Sequence, residues 1–425
     1  MSIQEIFISE NDNLIYKLID LGIDFKTKEK DLRKISEKIY NNQIGYIQFK
    51  DNKENLYKIY ILPKIIKTPS NDKEKKAVKE KFFNYMYFSF ELIEKYKNLN
   101  IKEFKHIEPF LDYFKSEKVS FTDFEHMLYL KYELALKHVF KYFQKHKAYI
   151  LEEKAYYSQT LKHQLDLRKN IKEMNKAKIH QKRKEVLIYS ELAHISYQIL
   201  NFFDKKILNN FNPAIQAKLS HKVISVKSLL KRKYKTHSPK KAKLKEIISH
   251  RIKNLFKKPE DKKLYSYLLT LLGTEITENK EKSLYLMPEL LTFFVSPEKI
   301  YEVFVYDFYK EKHKKHKIEY QVSKDYKIQT KEGTKELKSI PDIVIYKGNT
   351  IIIIDTKWKI LKGIDDIKNE DILKLERDTK VWSVGQNKII PLLIYPVINV
   401  KTKELNLIYS EKNNFKFHIR KINIK

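Results

Sequence analysis

The chain has no cysteine in 425 residues, which excludes disulfides, thiolate metal sites and cysteine nucleophiles. Glycine is scarce as well, with seven in all. Neither G-x-x-x-x-G-K-[ST] nor G-x-G-x-x-G occurs, so the usual loops for cradling a nucleotide's phosphates are missing. Any nucleotide-derived energy must then come from a partner. No run of 18 apolar residues could span a bilayer. The opening segment, MSIQEIFISEND, carries acids and has no long apolar stretch, unlike a signal peptide. These absences lead to the expectation of a cytoplasmic protein. Acidic residues are also in deficit, 54 against 86 Lys and Arg, for a net charge of +32. Such a field favours a polyanionic partner, nucleic acid first. The length suits two or three domains.

The most informative stretch is Ser339–Lys359, SIPDIVIYKGNTIIIIDTKWK. Two β-branched runs, Ile343–Tyr346 and Thr350–Ile354, flank Gly348-Asn349, and a Gly-Asn pair there signals a two-residue hairpin. The turn fixes the register: Lys347 opposes Thr350, Tyr346 opposes Ile351, and Asp342 opposes Asp355. Directly opposed side chains share a face, with Cβ atoms roughly 4.5–5.5 Å apart. Strand alternation returns Lys357 to that face. Two opposed carboxylates are destabilising unless a positive charge lies between them. Mg²⁺ meets that need, since it accepts one or two carboxylates, keeps several waters and binds phosphate oxygens. Asp342 and Asp355 are therefore candidate metal ligands, and Lys357 a candidate for positioning water or stabilising a phosphodiester transition state.

Upstream of the hairpin the pattern changes twice. Residues 1–115 mix helix and strand signals, with a helix over Asp31–Tyr40 and strands over Gly45–Phe49 and Leu56–Lys64. Ser70–Lys81 reads as a charged loop before a helix over Phe82–Lys97. Residues 116–290 read as helical and basic. Thr122 and Glu125 form a capping box, and further helices are expected at Glu152–Ala177, Arg183–Phe203 and Leu264–Leu272. Lys231–Lys258 carries twelve Lys or Arg and one acid, so Lys231, Arg232 and Lys233 are candidate DNA-backbone contacts or part of a solvated face. Residues 291–425 open with Ser296-Pro297, an N-cap and first helical position, starting a helix to about Lys312. Apolar residues on two sides bury that helix between layers and place Glu302 where an unpaired carboxylate is costly. A helix from Asp371 to about Val384 and a strand over Ile389–Tyr395 follow.

These segments resemble the McrC family, the endonuclease subunits of modification-dependent restriction systems. Gly45, Ile47, Ile59, Leu62, Pro63, Lys64 and Ile65 match its N-terminal pattern. Tyr301–Val305 matches its F-E-x-F-V helix, Pro341-Asp342 with Asp355-Thr356-Lys357 its PD-(D/E)xK signature, and Leu393–Pro396 its L-x-Y-P strand. Two motifs depart: Lys169 stands for Gly in L-R-G-x-I, and Lys374 for Gln in D-x-x-Q. The resemblance implies an α+β multidomain protein, with a mixed N-terminal domain, a helical middle and a C-terminal PD-(D/E)xK α/β domain. It further implies Mg²⁺-dependent cleavage of double-stranded DNA carrying modified cytosine, and a McrB-like AAA+ GTPase partner contacted by the N-terminal domain. Glu302 points at the metal site in this scheme, as a further metal ligand or a water-mediated contact, and Lys374 is left as a phosphate contact. The other reading is a DNA-binding adaptor whose nuclease site has decayed and which stimulates the partner GTPase.

Overall fold

The computed structural model describes residues 3–40, 43–51, 53–104, 107, 111, 123–146, 150–158, 164–165, 167–172, 179–187, 189–234, 258–276, 284–286, 290–330, 333–383, 388–397, 404–412 and 415–424. The chain begins with strand β1 (Ile3–Ser9), helices α1 (Leu14–Asp20) and α2 (Glu29–Tyr40), then β2 (Ile44–Lys50) and β3 (Leu56–Leu62). β1 runs parallel to β3 and β2 antiparallel to it. Alternation gives the sheet two apolar faces. Ile6, Ile8, Ile47, Ile59 and Ile61 cluster with Leu14, Leu18, Leu32 and Ile35 of α1 and α2. Phe7, Tyr46, Tyr60 and Leu62 face the large central core.

The next helix corrects the sequence reading. α3 spans Asp72–Lys95, so most of the expected Ser70–Lys81 loop is helical. Asn71 caps it, its side chain accepting from Glu74 N at 3.1 Å, while Glu74 accepts from Ser70 N at 2.8 Å. Lys and Glu are good helix formers once such a cap is in place. α4 (Phe124–Lys145) is capped by Asp123, which accepts from His126 N at 2.7 Å. Thr122 lies outside the described residues. Glu125 does not complete a capping box; it turns inward to Lys58 at 2.7 Å and accepts from Gln48 Nε2 and Asn212 N, each at 2.9 Å. A buried carboxylate with a cation and two donors ties α4 to the N-terminal sheet.

The middle segment is not wholly helical. β4 (Ile150–Ser158) and β6 (Ile179–Leu187) pair antiparallel along their whole length, with β5 (Gln164–Leu165) beside β6 and a short α5 (Leu167–Lys172) between. Of the expected helix over Glu152–Ala177, residues 152–158 and 164–165 are strand, Leu167–Lys172 is helix and the rest lie outside the described residues, while the one expected at Arg183–Phe203 begins as strand to Leu187. Glu, Lys and Ala in ILEEKAYYS favour helix locally, but strand formation depends on the partner supplied by β6. Helices α6 (Tyr189–Phe202), α7 (Pro213–Tyr234) and α8 (Pro259–Leu271) follow, then β7 (Thr274–Ile276) and β8 (Leu284–Leu286). β9 (Leu291–Val295) returns to pair with β2, completing the order β1-β3-β2-β9. Gly45 is required there, because a Cβ at this position would lie 2.0 Å from the Phe293 carbonyl oxygen.

α9 (Pro297–Lys312) starts at the expected Ser-Pro cap, with Ser296 Oγ accepting from Lys299 N at 3.4 Å. It is followed by β10 (Lys317–Tyr320), β11 (Lys324–Thr330), β12 (Gly333–Ser339), β13 (Ile343–Lys347), β14 (Thr350–Thr356), α10 (Asn369–Ser383), β15 (Lys388–Val397), β16 (Glu404–Lys412) and β17 (Phe415–Asn423). Six strands form a mixed sheet ordered β10-β13-β14-β15-β17-β16, while β11 and β12 form a separate ribbon. Ile343, Ile345 and Ile354 pack with Ile300 and Val303 of α9; Val344, Ile351 and Ile353 pack with Leu375 and Trp382 of α10. The sheet is therefore sandwiched between two helices, in a protein of mixed α and β structure with several sheets.

Candidate active site

The hairpin register places the two candidate carboxylates. Lys347 pairs with Thr350, Tyr346 with Ile351 and Ile343 with Ile354, so the next opposed positions are Asp342 and Asp355. Gly348 takes the positive φ of 56° that the turn demands. Lys357 extends the β14–β15 ladder, its N–H donating to Ile394 O at 2.8 Å. Its side chain returns to the face of Asp355, with Nζ 2.7 Å from Asp355 Oδ2. The convergence expected of Asp342, Asp355 and Lys357 is present.

Each group has further partners that the one-dimensional pattern did not reveal. Asp342 Oδ2 accepts from Thr356 N at 2.6 Å and from Thr356 Oγ1 at 2.8 Å. Lys357 Nζ also lies 3.2 Å from Asp371 Oδ1 on α10. One turn along that helix, Lys374 reaches down between the carboxylates: its ammonium contacts Asp355 and lies 3.4 Å from Asp342 Oδ1. Lys374, which the sequence suggests as a phosphate contact, is thus a counter-ion of the acidic pair. The i, i+3 spacing of Asp371 and Lys374 is the signal that could have found both, since it puts them on one helix face.

Glu302 comes from α9, on the opposite layer. It is 4% exposed, and Lys299 Nζ reaches both of its oxygens at 2.8 and 2.9 Å. Tyr320 Oη and Gln321 Nε2 donate to Oε2 at 3.0 and 2.9 Å. Burial pushes its carboxyl up to about 7, with the charge of Asp342 adding to the rise and Lys299 opposing it. Asp355 rises to about 6, again chiefly through burial and then Asp342, against the pull of Lys374 and Lys357. Burial pulls both lysines down, but the neighbouring carboxylates outweigh it and leave each ammonium above its usual range. Both lysines stay charged at neutral pH.

Whether this set suits a divalent cation follows from its chemistry. Carboxylate oxygens are hard donors, and two of them satisfy what Mg²⁺ asks of a protein. Asp355 Oδ2 is buried and has no directed hydrogen bond despite the nearby ammonium. Among the described residues, no three Asp, Glu or His side chains are grouped closely enough to hold an ion together. Glu302 is therefore not grouped with the pair as a third ligand, because α9 holds it in the other layer. Asp342 and Asp355 would hold such an ion as a pair.

The basic candidates of the middle segment behave differently. Lys231, Arg232 and Lys233 close the last turn of α7. Lys233 Nζ donates to Phe143 O at 2.7 Å, Gln144 O at 3.0 Å and His146 O at 2.5 Å, satisfying carbonyls left over at the end of α4. It serves there as a helix cap, its ammonium turned to those carbonyls. Lys231 lies over the Tyr197 ring at 5.7 Å, and Arg232 is exposed. Residues 235–257, most of the basic run, lie outside the described set.

Two layers of helix around a mixed sheet, with a charged centre at the ends of β13 and β14, define an α+β protein built around a buried acidic pair and its lysines. The chain belongs to the family described as the McrBC 5-methylcytosine restriction system component, which it matches over residues 39–396. It is thus a component of a restriction system, broadly on the endonuclease side. No curated protein matches it significantly. It is similar to a Thermococcus gammatolerans structure described as McrB AAA+ hexamers with bound McrC, at 14% identity and a TM-score of 0.46, covering 99% of this chain and 94% of that one. A second Thermococcus gammatolerans structure, of the McrBC complex, matches at 14% identity and a TM-score of 0.33, over 71% of this chain and 86% of that one. No helix among the described residues is long and apolar enough to cross a membrane.

Proposed function

We propose that the chain is the Mg²⁺-dependent nuclease subunit of a restriction complex, with a PD-(D/E)xK centre at Asp342, Asp355 and Lys357. The observation that carries this reading is the register-fixed opposition of Asp342 and Asp355, with Lys357 Nζ 2.7 Å from the latter. Bound at that pair, Mg²⁺ would supply Lewis-acid activation of water and neutralise charge on a phosphodiester. Asp342 is held by two hydrogen bonds from Thr356, which fixes one oxygen, while the other faces the Lys374 ammonium at 3.4 Å. Lys357, suspended between Asp355 and Asp371, keeps a positive charge where an attacking water or the equatorial phosphate oxygens would sit. Glu302 is close enough to Asp342 to feel its charge and acts through water. The missing phosphate loops and the family match support a partner McrB-like AAA+ GTPase, with double-stranded DNA bearing modified cytosine as substrate.

A second reading has one observation in its favour. Lys374 occupies the position in which a metal would neutralise the pair, so the centre could be a permanent ion-pair network in a GTPase-stimulating adaptor. Cleavage of modified DNA by the complex separates the two. Asp355→Ala should abolish Mg²⁺-dependent cleavage while leaving DNA binding intact or slightly tighter. Lys357→Ala should lose about two to three orders of magnitude in rate, because a preorganised charge in such a site is worth about 3–4 kcal/mol. Residual cleavage by the Asp355 variant above a few per cent would sink the nuclease assignment. No cleavage by any form, with GTPase stimulation preserved, would establish the adaptor.

A further inference from the structure

The residue that follows Lys357 is anchored by the other end of the chain. Alternation sends Trp358 to the face opposite Lys357, where it is 7% exposed and packs against Tyr301 of α9 with ring centroids 5.6 Å apart. Its indole N–H donates to Glu10, at 2.9 Å from Oε1 and 3.2 Å from Oε2. Glu10 directly follows β1 and is 1% exposed, with its own N–H on Leu62 O at 2.9 Å. Lys64 closes the group. Its backbone N–H donates to Glu10 Oε1 at 3.3 Å, its ammonium lies 3.4 Å from the same oxygen, and that ammonium stands 5.4 Å over the Trp358 ring.

A buried carboxylate is expensive and is kept where its partners are specified. Here the partners are one residue of the N-terminal sheet's exit and the one residue that immediately follows Lys357. Beyond Trp358 the backbone turns, Lys359 N donating to Lys357 O at 2.9 Å. Lys357 therefore lies between a ladder bond to Ile394 and a side-chain clamp on its neighbour. A backbone so held has little freedom to swing its lysine away from Asp355.

We propose that Glu10 is a positioning residue for the candidate active site: through Trp358 it fixes the backbone that carries Lys357, so the lysine's placement depends on how the N-terminal sheet is seated. This deepens the nuclease reading and rests on it for the catalytic consequence, but the positioning itself is testable without catalysis. A shift of the N-terminal sheet by a bound partner would act on the lysine along the same path.

The test compares Glu10→Ala, Glu10→Gln, Trp358→Phe and the Glu10→Ala/Trp358→Phe double variant in the full-length chain. The amine reactivity of Lys357 toward an N-hydroxysuccinimide acetate is followed by mass spectrometry, with Lys374 as internal reference. Glu10→Ala and Trp358→Phe should each raise Lys357 labelling about fivefold or more, with Lys374 within twofold. The double variant should resemble either single one, and Glu10→Gln, which keeps an acceptor oxygen for the indole, should stay within twofold of the parent. In the complex, the same two single variants should lose at least tenfold in cleavage turnover with DNA affinity unchanged. Unaltered Lys357 labelling in folded Glu10→Ala, or additive effects in the double variant, would overturn the proposal. Should Glu10→Ala not fold, Trp358→Phe, which preserves the ring packing, decides by the same labelling readout. A parent complex that never cleaves would refute the nuclease reading alone, since the labelling result stands independently.

Discussion

Replacing Lys374 by glutamine is the most revealing single change in the acidic centre. Its ammonium contacts Asp355 and lies 3.4 Å from Asp342. One unit charge at that separation gains about 5 kcal/mol at an effective dielectric near 20. Against this stand the ammonium's own desolvation and screening at a side chain 33% exposed, which leave a net of about 1–2 kcal/mol. A divalent ion entering the pair must displace or repel that lysine. Lys374→Gln should therefore tighten Mg²⁺ or Mn²⁺ binding by about tenfold, the equivalent of about 1.4 kcal/mol. Without metal, the variant should melt at lower temperature than the parent, because Asp342 and Asp355 would share only Lys357 as counter-charge. Added Mg²⁺ should restore the loss. Calorimetric titration at pH 7.5 and thermal melts with and without Mg²⁺ measure both effects. Unchanged or weaker metal affinity, with an unchanged melt, would show that Lys374 does not hold the metal's place and refute the reasoning.

Four further outcomes are expected. Because Asp355 holds its proton up to about pH 6 and Glu302 up to about 7, metal affinity should rise between pH 5 and 7 and then level, with proton release visible as a buffer-dependent heat. The same raised values mean that the contribution of Asp355 and Glu302 to metal-free stability is fully present below the ordinary carboxylate range and is lost as pH climbs through 6–7; a metal-free melt that rises between pH 6 and 7 would contradict the assignment. Gly45→Ala should break the β2–β9 pairing, because the new methyl would collide with the Phe293 carbonyl, and the variant should be detected by loss of amide protection along β9. The isolated chain should neither bind nor hydrolyse GTP or ATP, since it has no phosphate loop; stoichiometric nucleotide binding in a calorimeter would overturn the division of labour with a partner.

What the sequence revealed and what it hid separate along a physical line. The hairpin was legible because Gly348-Asn349 sets a register that propagates residue by residue to Asp342 and Asp355. The start of α9 was legible because Ser296-Pro297 carries its own capping chemistry. By contrast, β4 and β6 are rich in Glu, Lys and Arg, and only their mutual pairing makes them strands. α3 was read too short because its charged first turns face outward and give no apolar rhythm. The place of Lys374 depends on how α10 lies over β14, and the partnership of Glu10 with Trp358 joins positions 348 apart in sequence. Such contacts have no local signature.

The closure of the N-terminal sheet by β9 has a consequence for how the chain is made. β2 is complete once Lys50 has been synthesised, yet its second partner, Leu291–Val295, follows about 240 residues later. At roughly 5–20 residues per second, that leaves the β2 edge open for about 10–50 s on the ribosome. Tyr46 and Ile47 sit on that edge, so the nascent chain presents an apolar, unpaired template through most of its synthesis. A fragment beginning at Leu291 would inherit the same problem from the other side, carrying β9 with nothing to pair against. Slower translation or a lack of holdase chaperones should therefore lower the yield of folded protein more than any change in the acidic centre would.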